Sequence, residues 1–253
     1  MQWVVGKLFW GNKRLEDNQR LSLNDRFRKT MMYLPPQFNS RDRAIAIELM
    51  RAHPFASLIS TDDEGLPVLT HLPLALDERA PDSDNNHNAG ELVLLGHCAK
   101  ANPHWRYLQA RPKAVVSFLG PHAYMSPCVY PDLARVPTWN YLAVQCTVEA
   151  RLIETPTEKD VLLKRLIAQH EPAYAQQWRD LGDVYQSKML AGIVGFELRV
   201  TALQCALKLN QHRPEAHLAM RALYDAGTPD QRALAMWMTR LGMATAAPLA
   251  QED

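Results

Sequence analysis

Apolar and polar residues alternate with a period of two along several stretches of this chain, and elsewhere the period lengthens to that of a helix. Phe55 to Thr61 and Leu66 to Leu76 read as strands, with Asp62-Asp63-Glu64-Gly65 as the hairpin turn between them. Glu91 to His97, Ala114 to Leu119 and the long stretch Trp139 to Glu154 are strand-like as well. The clearest alternation runs from Ile193 to Thr201, with Val194, Phe196, Leu198 and Val200 on one side and Gly195, Glu197, Arg199 and Thr201 on the other. Helical spacing appears in Arg41 to His53, behind Ser40, where Ile45 and Leu49 lie one turn apart. It appears again from Thr155 to about Gln169, behind the capping box Thr155-Pro156-Thr157-Glu158, with Leu162, Leu163, Leu166 and Ile167 on the apolar side. Pro214 to Ala226 and Pro229 to Leu241 predict a closing helix pair split at Gly227, the second helix capped by Thr228-Pro229-Asp230-Gln231. Asp77 to Gly90, which includes His87, and the proline-rich Pro121 to Pro137 read as loops. Many strands with few long helices between them predict an α+β fold: an antiparallel β-structure closed as a barrel, with flanking helices and a C-terminal helical pair.

Composition narrows the picture only slightly. The chain has 253 residues, 47% hydrophobic and 22% charged, enough for one large domain with appended helices. Its formal net charge is +1, but residues 1–30 hold seven Lys or Arg against three Asp or Glu. The body of the chain is therefore slightly acidic, which argues against a basic nucleic-acid surface there. The basic segment ends at Met31-Met32 and reads as an irregular N-terminal extension over residues 1–31, ahead of a barrel domain over 32–212 and helices with a frayed tail over 213–253. Cys98, Cys128, Cys146 and Cys205 form no CxxC pair, which fits reduced thiols in a cytoplasmic protein. No apolar run approaches the roughly 20 residues that cross a bilayer, so no membrane role is expected. His97, Cys98, His104, His122 and Cys128 match no standard zinc spacing, and no P-loop, GxSxG or Rossmann glycine pattern is present.

The chemistry concentrates between Gly96 and Tyr141. Asn102 is placed to cap a short helix that has Pro103 at its start and Pro112 beyond its end, and Lys100 falls between the preceding strand and that helix. An anion there would meet the lysine and free backbone donors. His97, at the same strand end, can add a donor. Ser126, Tyr130, Trp139 and Asn140 flank the proline-rich loop, and Tyr130 and Trp139 offer flat apolar faces with one polar atom each. The plainer reading of each is ordinary: a solvated lysine, a loop histidine, packed aromatics.

Strand, lysine, short helix and the apolar strand Val115-Val116-Ser117-Phe118, in that order, resemble the FMN-binding split-barrel superfamily, the pyridoxamine-phosphate-oxidase-like flavoproteins. Met32-Tyr33-Leu34-Pro35-Pro36-Gln37-Phe38, Thr70-His71-Leu72-Pro73, Tyr124-Met125-Ser126-Pro127 with Val136-Pro137-Thr138-Trp139-Asn140-Tyr141, and Lys208-Leu209-Asn210-Gln211 resemble more closely the PaiB-type FMN-binding negative transcriptional regulators. The resemblance implies a split barrel with FMN as cofactor, bound at the interface of a homodimer. It implies that Lys100 reaches the FMN phosphate, that Thr70 and His71 lie on the first FMN-contacting strand, and that the tail with Lys208, Asn210 and Gln211 returns towards the flavin, often that of the partner subunit. Negative regulation of transcription is implied by the family alone.

Three classes compete. One is a flavin-dependent regulator that senses redox state or a ligand. Another is a flavin-dependent oxidoreductase or flavin reductase, or a haem-degrading relative, on the same fold; no protein acid or base stands out to decide whether the chain is an enzyme. The last is a direct DNA binder using the C-terminal helix pair. The second helix carries only Arg232 and Arg240 as cations, so packing on the barrel is the stronger expectation.

Overall fold

The computed structural model describes residues 32–80, 90–132 and 134–243. Among them the strands are β1 (Asn39–Ser40), β2 (Phe55–Thr61), β3 (Pro67–Pro73), β4 (Ala75–Arg79), β5 (Glu91–Ala99), β6 (Lys113–Met125), β7 (Thr138–Ile153) and β8 (Ile193–Lys208). The helices are α1 (Arg43–Ala52), α2 (His104–Ala110), α3 (Pro156–His170), α4 (Tyr174–Asp180), α5 (Asp183–Ala191), α6 (His217–Asp225) and α7 (Pro229–Arg240). All strands join one antiparallel sheet in the order β3-β2-β6-β7-β8-β5-β4, with β1 also paired to β8. The fold is the α+β antiparallel split barrel with flanking helices and a C-terminal helical pair.

Sheet alternation puts Leu58, Leu94, Val116, Phe118, Leu142, Val144, Phe196 and Leu198 on the inner side, where they form one core with Met50 of α1 and Met220, Tyr224, Leu234 and Met238 of α6 and α7. Full burial of such side chains stabilises by about 1.5–3 kcal/mol each. A smaller cluster lies on the opposite face of β5, where Leu162 and Leu166 of α3 cover Val93, Leu95 and Ile153. The barrel pinches at Gly96 on β5: a Cβ there would lie 2.6 Å from Leu74 Cδ2 and 3.0 Å from Leu72 Cδ1, so a side chain at this position would require those leucines to move.

Several boundaries differ from the sequence expectations. Leu66 to Leu76 is not one strand but two, β3 and β4, broken at Leu74, whose N–H donates to Pro54 O at 2.9 Å. β6 runs through the start of the expected proline-rich loop as far as Met125, because the register shift between Leu119 and His122 takes Pro121 out of the regular hydrogen-bond ladder. β8 has 16 residues and extends beyond Thr201 to Lys208. The helix expected from Arg41 begins at Arg43, where Asp42 caps α1, its Oδ1 accepting from Ala44 N–H at 2.8 Å. The sequence reading was silent on α4 and α5. The expected helix from Pro214 begins as a 3₁₀ turn, Pro214–Ala216, before α6. The Thr228–Gln231 capping box and the Thr155 cap form as expected. The basic extension, His87 and the frayed tail lie outside the described residues. Among the described residues no helix is long and apolar enough to cross a membrane.

Candidate functional site

Three features on this scaffold carry polar chemistry. The first is at the end of β5. Ala99 pairs with Ile193, the first residue of β8, and Lys100 follows in the turn, exposed. The free backbone donors expected there are in use: Lys100 N–H donates to Gly192 O at 2.8 Å, Asn102 N–H to Ala99 O at 2.9 Å, and His104 N–H to Asn102 Oδ1 at 3.0 Å. That last bond is the predicted Asn102 cap. Binding of an anion at this turn therefore falls to side chains. Lys159 on α3 joins Lys100 here. Its Nζ donates to Leu190 O at 3.2 Å, and burial followed by the charge of Lys100 holds its pKa below the usual lysine value. His97 lies on the same outer side of β5. Burial lowers its pKa, and its Nδ1 is buried with no hydrogen-bond partner.

Behind the turn, His104 is 1% exposed and bridges Ser60 Oγ at 2.8 Å from Nε2 and Thr70 Oγ1 at 2.8 Å from Nδ1. Asn102 Nδ2 also donates to Thr70 Oγ1 at 3.2 Å. Thr70 therefore faces inward and orders the start of α2, while its neighbour His71 faces outward and bonds Ser57 Oγ at 3.1 Å.

The second feature is a row of polar residues across the outer sheet face. Strand register aligns His71 with Ser57, Ser57 with Ser117, Ser117 with Gln145, and Gln145 with Gln204. The flanking outward positions include Phe55, Leu69 and Leu119, exposed by 67%, 50% and 53%. Gln204 Oε1 is buried without a partner.

The third feature is a cavity of about 300 Å³ at the other end of β8, lined in part by Tyr130, Arg135, Thr138, Asn140, Lys208, Asn210 and Arg213. Asn210 has φ 65°, a left-handed turn that asparagine tolerates. Its Nδ2 donates to Tyr130 Oη at 3.0 Å. Lys208 Nζ donates to Thr138 Oγ1 at 2.9 Å, and burial lowers its pKa. Asn140 is fully buried: its Nδ2 donates to Tyr224 Oη at 3.0 Å while its Oδ1 has no partner. Arg135 stacks over the Tyr130 ring at 5.2 Å, and its Nε is also buried and unpartnered.

The structure thus sorts the expected residues into two places. Lys100, His97 and, through Asn102, Thr70 gather near the start of β8. Tyr130, Asn140, Lys208 and Asn210 gather beyond its end. Ser126 caps the 3₁₀ turn Pro127–Val129 by accepting from Cys128 N–H. Trp139 faces outward and donates to His122 Nδ1 at 3.2 Å. Gln211 folds back on Leu209 N–H and Leu207 O. Sequence reasoning missed Lys159, Arg135 and Arg213. Arg213 directly precedes the 3₁₀ turn Pro214–Ala216, where a helix-start role is the simpler expectation, and Lys159 lies mid-helix with nothing in its local pattern to mark it. The four partnerless buried side-chain atoms among the described residues, on His97, Arg135, Asn140 and Gln204, all fall on these three features. Buried polar atoms are nearly always satisfied, so this concentration marks where a ligand or second chain would contribute partners.

The family described as "Putative FMN-binding domain" matches residues 32–202. Protease synthase and sporulation protein PAI 2 of Bacillus subtilis is 33% identical over 189 residues, covering 73% of this chain and 84% of that protein. An uncharacterized protein of Emericella nidulans is 29% identical over 216 residues, covering 71% of this chain and 84% of its own length. Among solved structures, the flavocytochrome Anf3 from Azotobacter vinelandii superposes with a TM-score of 0.49 at 15% identity, over 68% of this chain and 69% of that one.

Proposed function

The chain belongs to this FMN-binding family and its cofactor is FMN; from that premise we propose that it acts as a homodimer whose two chains share each flavin, and that it is a cytoplasmic negative regulator of transcription sensing redox state or a ligand through FMN. The observation that carries the shared site is the separation along β8. Lys100 stands beside its first residue and Lys208 is its last. The two groups therefore sit at opposite ends of a 16-residue strand, a path of ~50 Å along the chain at about 3.3 Å per residue. A single chain offers two half-sites, and a second copy completes each of them.

The residues present fit the cofactor. Lys100 and Lys159 are two neighbouring cations, and burial followed by the charge of Lys100 lowers the pKa of Lys159, an arrangement that suits the phosphate. His97 Nδ1 supplies a hydrogen bond at that end, and the outward His71 lies on the polar row. Tyr130, Asn140, Lys208 and Asn210 of the other chain border the ring, with Trp139 nearby. The polar row with its exposed apolar flanks is the face that a second copy would cover. When bound, FMN supplies reversible electron transfer; the chain supplies placement, charge and exclusion of water.

The C-terminal pair does not serve as a DNA reader in this reading. α7 buries Leu234, Ala235 and Met238 in the core, and its Arg240 is held by Glu48 at 2.6 Å. A second reading, an oxidoreductase of the same fold, draws on the cavity beyond β8, which has room for a substrate beside the ring.

Two measurements test the proposal. Sedimentation of the FMN-loaded protein along a dilution series should show release of FMN as the dimer dissociates, by mass action. A monomer that retains FMN as tightly as the dimer would overturn the shared site. Binding to DNA from the protein's own control region should differ between oxidised and reduced flavin. Absence of binding in both states would remove the regulatory role and leave the oxidoreductase.

A further inference from the structure

We infer that the cavity beyond β8 is a binding site for a small carboxylate that carries an N–H or O–H donor close to its acid group. The place of this ligand against the ring rests on the shared-flavin reading; its binding to the cavity does not.

Charge comes first. Lys208, Arg135 and Arg213 line the cavity, and among the described residues no carboxylate does. Among the described residues Lys208 has no acidic partner, only the Thr138 hydroxyl and the face of Tyr141 at 5.6 Å. Asp132 and Glu215 hold Arg135 at 2.9 and 3.6 Å, and Glu215 stands 3.9 Å from Arg213, but both acids lie outside the lining. The imidazole of His212, which lines the cavity as well, is held below its usual pKa by burial and then by Arg213, as expected beside surplus positive charge.

The unmatched atoms give the rest. Asn140 Oδ1 is fully buried and lacks a donor, and Arg135 Nε lacks an acceptor. Asn140 Nδ2 donates to Tyr224 Oη and to Met220 Sδ at 3.2 Å, and the thioether, which only accepts, favours the orientation that leaves Oδ1 open. A bare anion would leave Oδ1 unmatched. A carboxylate with a neighbouring N–H or O–H answers the cations and Asn140 together. At about 300 Å³ the cavity limits the ligand to a compact acid of the N-acyl amino acid or hydroxy acid kind.

The test is calorimetric titration of the full chain, FMN-free and FMN-loaded, with N-acetylglycine, acetate and N-methylacetamide. N-acetylglycine should bind saturably to both forms. Acetate, which lacks the donor, should bind about five-fold or more weakly, and neutral N-methylacetamide weaker still. Lys208→Gln should weaken N-acetylglycine about ten-fold or more. Circular dichroism establishes that the variant is folded; if it is not, Arg213→Gln on the half-exposed tail gives the same reading. No saturable binding, equal binding of N-methylacetamide, or variants that bind like the parent overturn the inference. If FMN and N-acetylglycine exclude each other, the cavity holds the flavin itself: the inference fails and the flavin reading stands. If the acid binds but FMN binding ignores dimer dissociation, the shared-flavin reading fails alone.

Discussion

Replacing Lys100 tests the phosphate end directly. In the free protein Lys100 is exposed and accepts no structural duty: its backbone N–H and O are bound to Gly192 and to the Trp105 indole, and these bonds do not involve its side chain. Lys100→Ala should therefore leave stability within about 0.5 kcal/mol. The variant loses one charge-assisted contact to a phosphate, on the order of 1.5–3 kcal/mol, which is about ten- to hundred-fold in the FMN dissociation constant. Lys159 remains and limits the loss. Burial lowers the pKa of Lys159 most and the charge of Lys100 adds to it; removing Lys100 lifts the second effect, so Lys159→Met in the Lys100→Ala background should cost more than Lys159→Met alone. Flavin fluorescence titrated at fixed ionic strength measures each constant, with riboflavin as the control that lacks the phosphate. Riboflavin affinity should change by less than about two-fold. An equal loss for FMN and riboflavin would refute the phosphate role of this turn.

Other outcomes follow from the same geometry. Ser117→Arg, in the middle of the outer polar row, should shift the protein to monomer in sedimentation and lower FMN affinity, while a folded dimer with full FMN would place the interface elsewhere. His104 is held neutral by burial below its usual value of 6.5, so its contribution to stability is complete above about pH 6.5 and drains as pH falls towards its depressed folded-state pKa. His53 and His97 are shifted the same way by burial. Urea midpoints should fall between pH 7 and pH 5, and His104→Gln should flatten part of that fall; an unchanged slope would assign it to the other groups. A chain beginning at Met32, where the family match begins, should remain folded and FMN-loaded, and loss of FMN would make the basic extension part of the site.

Particular residues show what the sequence made legible. Periodicity located β2 to the residue and β7 within one, because both alternate between a packed and an open face. It failed at Leu74, which is apolar and buried like Leu72 and Ala75 yet sits where the chain changes partner from β2 to β5. Proline misled the reading at Pro121, since a bulge accommodates what a regular ladder rejects. The chemistry-bearing residue types were recognisable, and Lys100, Asn140, Lys208 and Asn210 all fall on the features described. Their division into two places was not recognisable, because local sequence says nothing about which end of a long strand a loop joins. Lys159 was hidden for the same reason: its role depends on α3 folding back over the start of β8.

The length of β8 has a consequence for heredity as well as for chemistry. If each flavin is shared as proposed, each chain of a two-fold symmetric pair gives its Lys100 end to one flavin and its Lys208 end to the other. A chain damaged at the first end and a chain damaged at the second are each deficient when paired with themselves. Paired with one another, they assemble one site from the two sound ends and one from the two broken ends. Two defective alleles of this gene, expressed together, would restore flavin binding that neither restores alone.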